Sequence, residues 1–239
     1  FQIPYGALVP QTTDGLLLAA KNIGLTRIAA STYRLHPVEF QIGQAAGAAA
    51  AMCVKWGCRP RDMWVASPEG NPPDAEKRLR RLQYELLRAR TPLYWNEDCG
   101  WDTDRFEAVQ WVCSLGLMEP HGPVFDPDKP LTRGEAAIAV YRLVNGAPDA
   151  NLKSSQSGTV SDTSGLIAAV QFLRERGALS DTGAPFDYKT TVTGTQLAEM
   201  LEKASNVRVS GMTGQTLTRA EAARIIYGES LKRYGLAGR

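Results

Sequence analysis

Between Trp95 and the C-terminus the chain matches itself at a constant offset of 61 residues. Val109 and Gln110 return as Val170 and Gln171, Gly116 as Gly177, Phe125 and Asp126 as Phe186 and Asp187, and Thr132 as Thr193. Apolar partners agree as well, Trp111 with Phe172 and Leu131 with Val192. Helix periodicity fades within a few turns, so agreement across two helices and their loop reports a duplication. A repeated unit of this size cannot bury its apolar face alone, so an array of helical units packed on one another is expected over residues 96–239.

Each copy reads as an apolar first helix, a glycine turn, a Phe-Asp loop and a second helix entered through a threonine. In LTRGEAAIAVYRL the Thr132 hydroxyl can cap the helix while Glu135, three residues on, reaches back in a capping box. A third start, LTRAEAARIIYG, repeats the box with Thr218 and Glu221 but follows the second copy too closely to have a first helix of its own. The array is therefore divided as 96–150, 158–206 and a partial unit 207–239. Its last helix would leave Ala222, Ile225, Ile226 and Leu231 facing water. Residues 61–95 read as a linker, SPEGNPPD, and a helix over 75–90 capped by Asp74. The Leu79, Leu82, Leu86 and Leu87 stripe of that helix is expected to close the array, with Leu82 and Leu86 near Ile225 or Ile226. The alternative is packing on the N-terminal part. Lys77, Arg78, Arg80 and Arg81 read as a solvated face.

In residues 1–60, GLLLAAKNIG suits a short buried strand leading into a loop. The run YRLHPVEFQIGQAAGAAAAMCVKWG predicts a helix from Pro37 to Trp56, with proline at the first turn and Gly57 as the stop. Gly43, Gly47 and the alanines from Ala45 to Ala51 strip one side of bulk. Two readings stand: a helix start ready for an anion, and an alanine-rich packing helix. The balance of 27 basic against 25 acidic side chains makes no field that would gather nucleic acid. The apolar run at Ala45 to Met52 is too short to span a bilayer. FQIPYGALVP has neither the basic start nor the apolar core of a signal peptide, so the native N-terminus is expected upstream. Cys53, Cys58, Cys99 and Cys113 make no CxxC pair, and with only His36 and His121 no metal site is expected. Buried thiols fit the four cysteines better than a disulfide framework, and their redox compartment stays open.

IPYGALVP, LLLAAKNIG and YRLHPVEFQIGQAAGAAAA resemble, in order and spacing, the closing part of the FAD-dependent oxidoreductase family named alongside xanthan lyases. That resemblance implies that residues 1–60 are the C-terminal segment of an α/β, Rossmann-like FAD-binding domain, with LLLAA as its last strand. Ala20, Lys21, Asn22 and Ile23 would approach the cofactor, and His36, Pro37, Val38 and Glu39 would lie near the flavin ring. His36 reads equally as a helix-cap or surface histidine, and Glu39 as a carboxylate stabilised by the helix dipole. No GxGxxG occurs in the chain. The pyrophosphate cradle is thus expected in a missing N-terminal portion, and the chain alone to be inactive, with no catalytic residue identified. LTRGEAA and LTRAEAA resemble the signature of S-layer homology modules, which hold exported proteins to cell-wall polysaccharide. The middle unit departs from it, reading VTGTQLA with Gly194 where Arg133 and Arg219 stand. By analogy those two arginines would contact glycan anions; the other reading is that they brace helix starts. The expected protein is of mixed fold class, an α/β fragment plus an all-α repeat domain. It is expected to be part of a secreted or cell-surface FAD-dependent oxidoreductase. The alternative is a wall-anchoring or assembly module with a non-catalytic flavoprotein remnant.

Overall fold

The structure, a computed structural model, describes residues 2–33, 35–68, 70–146, 163–179 and 185–238. The expected repeat boundary between 150 and 158 lies outside them. The chain forms two compact units, Phe1–Leu93 and Tyr94–Arg239.

The first unit contains α1 (Arg27–Tyr33), α2 (His36–Trp56) and α3 (Ala75–Arg88), with short 3-10 turns at Tyr5–Leu8, Ala20–Asn22 and Pro60–Met63. Helix α2 starts one residue before the expected Pro37 and stops at Gly57, whose φ of 60° only glycine adopts without strain. No strand occurs among the described residues, so the strand expected in GLLLAA is a correction. Residues 16–19 form a loop tied by Leu18 N to Leu8 O at 2.8 Å, followed by Gly24 N to Ala7 O at 2.7 Å. An apolar run becomes a strand only where neighbouring strands take up its N–H and C=O groups in a ladder, and here a 3-10 turn supplies the carbonyls.

Helix α3 also departs from expectation. Asp74 precedes it but caps nothing with its side chain, pairing instead with Lys77 at 3.2 Å. Leu82 and Leu86 are buried with Ala49 and Cys53 of α2 and Met63 of the Pro60–Met63 turn, and Leu79 packs on the same cluster. The stripe thus closes the first unit's own core, not the repeat array. The basic run is occupied locally: Arg80 pairs with Glu76 at 3.6 Å, Arg81 with Glu85, and Arg78 donates to Asp62 O at 3.2 Å.

The second unit contains α4 (Phe106–Ser114), α5 (Arg133–Asn145), α6 (Thr163–Glu175), α7 (Gly194–Ser205) and α8 (Arg219–Arg233). Three backbone bonds join its repeat starts in a closed ring. Leu131 N donates to Leu217 O at 2.8 Å, Leu217 N to Val192 O at 3.0 Å, and Val192 N to Leu131 O at 3.0 Å. All three side chains are buried at the centre, so the array is a closed pseudo-threefold and not an open stack. Each second helix begins with a capping box: Thr132 with Glu135 and Thr218 with Glu221, as expected, and Thr193 with Gln196 in the middle copy.

Closure decides which helix covers which. Helix α6 packs on α5, where Phe172 meets Tyr141 edge-on at 5.4 Å. Helix α4 packs on α8, where Trp111, the repeat mate of Phe172, meets Tyr227 edge-on at 5.8 Å. The first helix of the array therefore serves the last, in which Ile226 is buried. The member left without a first-helix partner is α7. At its position equivalent to Tyr141 and Tyr227 it carries Glu202, and its neighbours Glu199 and Lys203 are exposed. The sequence of α7 is polar where its relatives are aromatic, which lets it face water.

Gly194 has its explanation in the same place. A Cβ added there would lie 2.8 Å from Thr213 O and 3.2 Å from Thr213 N, because the shortened connection before α8 crosses this point. Arg133 and Arg219 instead reach over the Phe-Asp loops of neighbouring units, a loop the partial third unit lacks. Gly194→Ala is expected to destabilise by roughly 1–3 kcal/mol, the range for overpacking against fixed backbone. Gly194→Arg should cost more, and urea unfolding of both variants checks the order; a neutral Gly194→Arg would contradict this account.

Candidate functional site

In the first unit the residues expected near a flavin do come together. The Ala20–Asn22 turn packs against α2, and Ala20 holds a φ of 59°, an unusual value for alanine. Ile23 is buried with Leu8 and Ile42, and Val38 packs on that cluster, which anchors the turn beside the start of the helix. Lys21 Nζ lies 3.4 Å and His36 Nδ1 3.6 Å from the two carboxylate oxygens of Glu39. The His36 side chain is 91% exposed and that of Glu39 only 14%, so histidine is the solvent-side partner and glutamate the inner one. Glu39 Oε1 is buried and accepts no hydrogen bond. Leu35, at the N-cap, offers no side-chain oxygen to the first-turn amides, and Pro37 has no N–H. A helix start without a side-chain cap, an ammonium and a carboxylate oxygen that pairs with it without accepting a hydrogen bond form a small polar cluster with both donor and acceptor capacity.

In the second unit the two arginines of the repeat signature sit in related but unequal places. Arg219 is 1% exposed. Its Nε donates to Phe125 O and its Nη2 to Glu119 O, both at 2.7 Å, Nη1 pairs with Glu135, and the guanidinium lies 4.7 Å from the Phe125 ring centroid. Desolvation lowers its proton affinity from the ordinary arginine value. Arg133 is half-buried and stacks 5.0 Å from the Phe186 ring centroid; among the described residues it forms no ion pair. The repeat thus places each arginine on the next unit's Phe-Asp loop, and only at Arg219 does a carboxylate close the arrangement.

The helix starts are also committed. Arg219 N and Ala220 N donate to Lys129 O and Pro127 O, Arg133 N and Gly134 N to Thr190 O and Tyr188 O, and Gly194 N and Thr195 N to Gln215 O and Thr213 O. These dipole ends bind the neighbouring loop and not a free anion. Around Arg219 the fold gathers two residues that the sequence reading did not single out. His121 Nδ1 lies 2.7 Å from Asp126 Oδ2 and its Nε2 3.4 Å from Glu135 Oε1. Hydrogen bonds from Lys129 and then His121 hold Asp126 below the usual carboxylate range. No spacing rule connects positions 121, 126, 135 and 219. A closer look at FDPDK, where Lys129 sits three residues after Asp126, could have found that one pair.

No helix of the described residues is long and apolar enough to cross a membrane. Compared with known families, residues 1–71 match the FAD dependent oxidoreductase family, and residues 102–137 match the S-layer homology domain. The first match contains the polar cluster at the start of α2, and the second runs from before α4 into α5, which is the first repeat copy. No curated protein matches the chain. The chain therefore carries a segment of the FAD dependent oxidoreductase family followed by an S-layer homology domain.

Proposed function

We propose that this chain contributes the flavin-facing helix start of a cell-surface FAD-dependent oxidoreductase and attaches it to wall polysaccharide through its helical ring. The observation that carries the flavin half is the buried Glu39 Oε1, ion-paired with Lys21 but accepting no hydrogen bond, at the uncapped start of α2 within a segment matched to that family. The donor set fits the pyrimidine side of an isoalloxazine. Glu39 would accept from its ring N–H, while Lys21 and the positive end of α2 would stabilise the negative charge that develops there. Ala20, Asn22 and Ile23 would form the wall of the turn, and His36, Pro37 and Val38 the first helical turn. FAD, when bound, would take the hydride equivalent from an organic substrate. The GxGxxG cradle would come from an N-terminal portion supplied by the same precursor or a companion chain.

The wall half rests on the S-layer homology match and on Arg133, half-buried over the Phe186 ring and in no ion pair among the described residues. In this reading Arg133 contacts an anionic group of the glycan. Arg219, whose donors are committed within the ring, would hold the neighbouring loop in place and act on the glycan through it. A second reading, an anchoring module with a flavoprotein remnant, is favoured by the ring being closed within this chain.

Flavin content separates the two. The purified chain is expected to hold no stoichiometric FAD, and adding the cradle-bearing portion should give a flavin absorbance band that Glu39→Ala weakens more than Glu39→Gln. Near one mole of flavin per mole of the chain alone would overturn the division of the site. No flavin in the combined protein would leave the anchoring reading. Co-sedimentation with purified cell-wall sacculi should fall on Arg133→Ala if the wall reading holds.

A further inference from the structure

The way α2 stops brings two of the four cysteines together. Gly57 turns left-handed and Cys58 N donates to Cys53 O at 3.0 Å. This six-to-one closure puts the side chains at its two ends in contact. Both belong to the cluster around Ala49, Met63, Leu82 and Leu86. Cys53 Sγ donates to Met63 Sδ at 3.5 Å, and Cys58 packs on the same cluster. Cys53 is buried, whereas Cys58 is partly open to solvent. Cys99 and Cys113 are buried thiols of the other unit.

We propose that Cys53 and Cys58 are a redox-responsive pair that closes a disulfide across the end of α2 when a small disulfide oxidant is present. The accessible Cys58 loses its proton and its sulfur attacks one sulfur of the oxidant R–S–S–R. The oxidant's S–S bond breaks, one RS⁻ leaves and is protonated, and Cys58 carries a mixed disulfide. Cys53 then loses its proton and attacks Cys58 Sγ, expelling the second RS⁻, which is protonated in turn. Two electrons pass from the cysteines to the oxidant, and two RSH are released for each disulfide formed. Burial raises the Cys53 thiol above the ordinary cysteine value, and this cause persists once Cys58 is capped by the mixed disulfide. The second step is therefore the slow one. Its rate should rise about tenfold per pH unit at lower pH, following the Cys53 thiolate fraction. Closure would pin the C-terminal end of α2 to the loop that leads into the Pro60–Met63 turn.

The test uses the full chain incubated with oxidised glutathione, quenched with iodoacetamide, unfolded and weighed. The expected product is lighter than the reduced chain by two hydrogens before alkylation, with two of its four thiols still alkylated on unfolding. Lys55 lies between the two cysteines, so tryptic digestion should give a pair of peptides joined through Cys53 and Cys58. Cys58→Ser should show no loss of hydrogens and keep three reactive thiols in denaturant. Four alkylated thiols after oxidation, a glutathione adduct that persists on Cys58 as pH is raised, or a link involving Cys99 or Cys113 would each overturn the proposal.

Discussion

Arg219→Ala is expected to destabilise the helical ring by about 3–5 kcal/mol, the usual cost of removing one partner from a buried ion pair. Three groups lose Arg219 as a donor at once: Glu135 Oε1, left with His121 Nε2 at 3.4 Å on a side chain only 15% exposed, and the carbonyls of Phe125 and Glu119. The Phe125 ring, fully buried, also loses the guanidinium stacked on it. Arg133→Ala gives up only a half-exposed stacking contact on Phe186, worth about 0.5–1 kcal/mol. Urea unfolding of the two variants should therefore separate them by a clear margin in midpoint at similar slope. Equal, small effects would mean that Glu135 finds water or another donor and that Arg219 is no brace. The double variant Arg219→Met with Glu135→Gln, which removes both charges and keeps the α5 capping box, tests the cause. Removing both charges should recover much of the loss if the unpaired carboxylate is what costs stability.

Trp111→Ala should be as severe, about 3–5 kcal/mol for a large side chain deleted from a packed core. Trp111 is fully buried, meets Tyr227 and Tyr234 edge-on at 5.8 and 6.3 Å, and donates from Nε1 to Ser230 Oγ at 2.9 Å. This side chain joins α4 to α8, which makes it the point where the first repeat copy and the partial third one are held together. Trp111→Phe keeps most of the packing but strips Ser230, itself fully buried, of its donor, a loss of about 1–3 kcal/mol. The repeat mate Phe172 is half-buried, so Phe172→Ala should cost less than Trp111→Ala. Hydrogen exchange in α8 gives a second readout should Trp111→Ala prevent the ring from folding. Protection in α8 that is unchanged by Trp111→Ala would show that α4 is not its cover.

Much of this was legible locally. The Thr132 and Thr218 starts were read as capping boxes and are capping boxes, because that motif is closed by hydrogen bonds between residues three apart. The bounds of α2 were legible within one residue from Pro37 and Gly57 for the same reason. The duplication was visible because matching units at a constant offset leave a record in the chain itself. At the candidate flavin site, Lys21, His36 and Glu39 were named from resemblance, and the structure brings them within ion-pair distance. What resemblance could not convey is that Glu39 is the inner member and His36 the exposed one.

The misreadings share a cause of the opposite kind. GLLLAA carries the apolar pattern of a strand, but pattern describes what a segment can bury and not whether a ladder partner exists. The Leu82 and Leu86 stripe was correctly apolar and was assigned to the wrong surface, since a stripe says how much area it hides and not against what. Gly194 looked like decay of a signature and is instead where Thr213 passes too close for a side chain. Arg219 was legible either as a glycan contact or as a brace, because nothing in its own segment shows that Phe125, Glu119 and Glu135 converge on it. By itself the sequence determined the bounds of α2, the Thr132 and Thr218 caps and the duplication, the first two set by interactions within a few residues. The tertiary structure alone decided that the copies close into a ring, with α4 on α8 and α7 facing water. Ring closure depends on contacts between positions roughly a hundred residues apart, whose energies leave no period in the chain and exist only once the intervening loop entropy has been overcome.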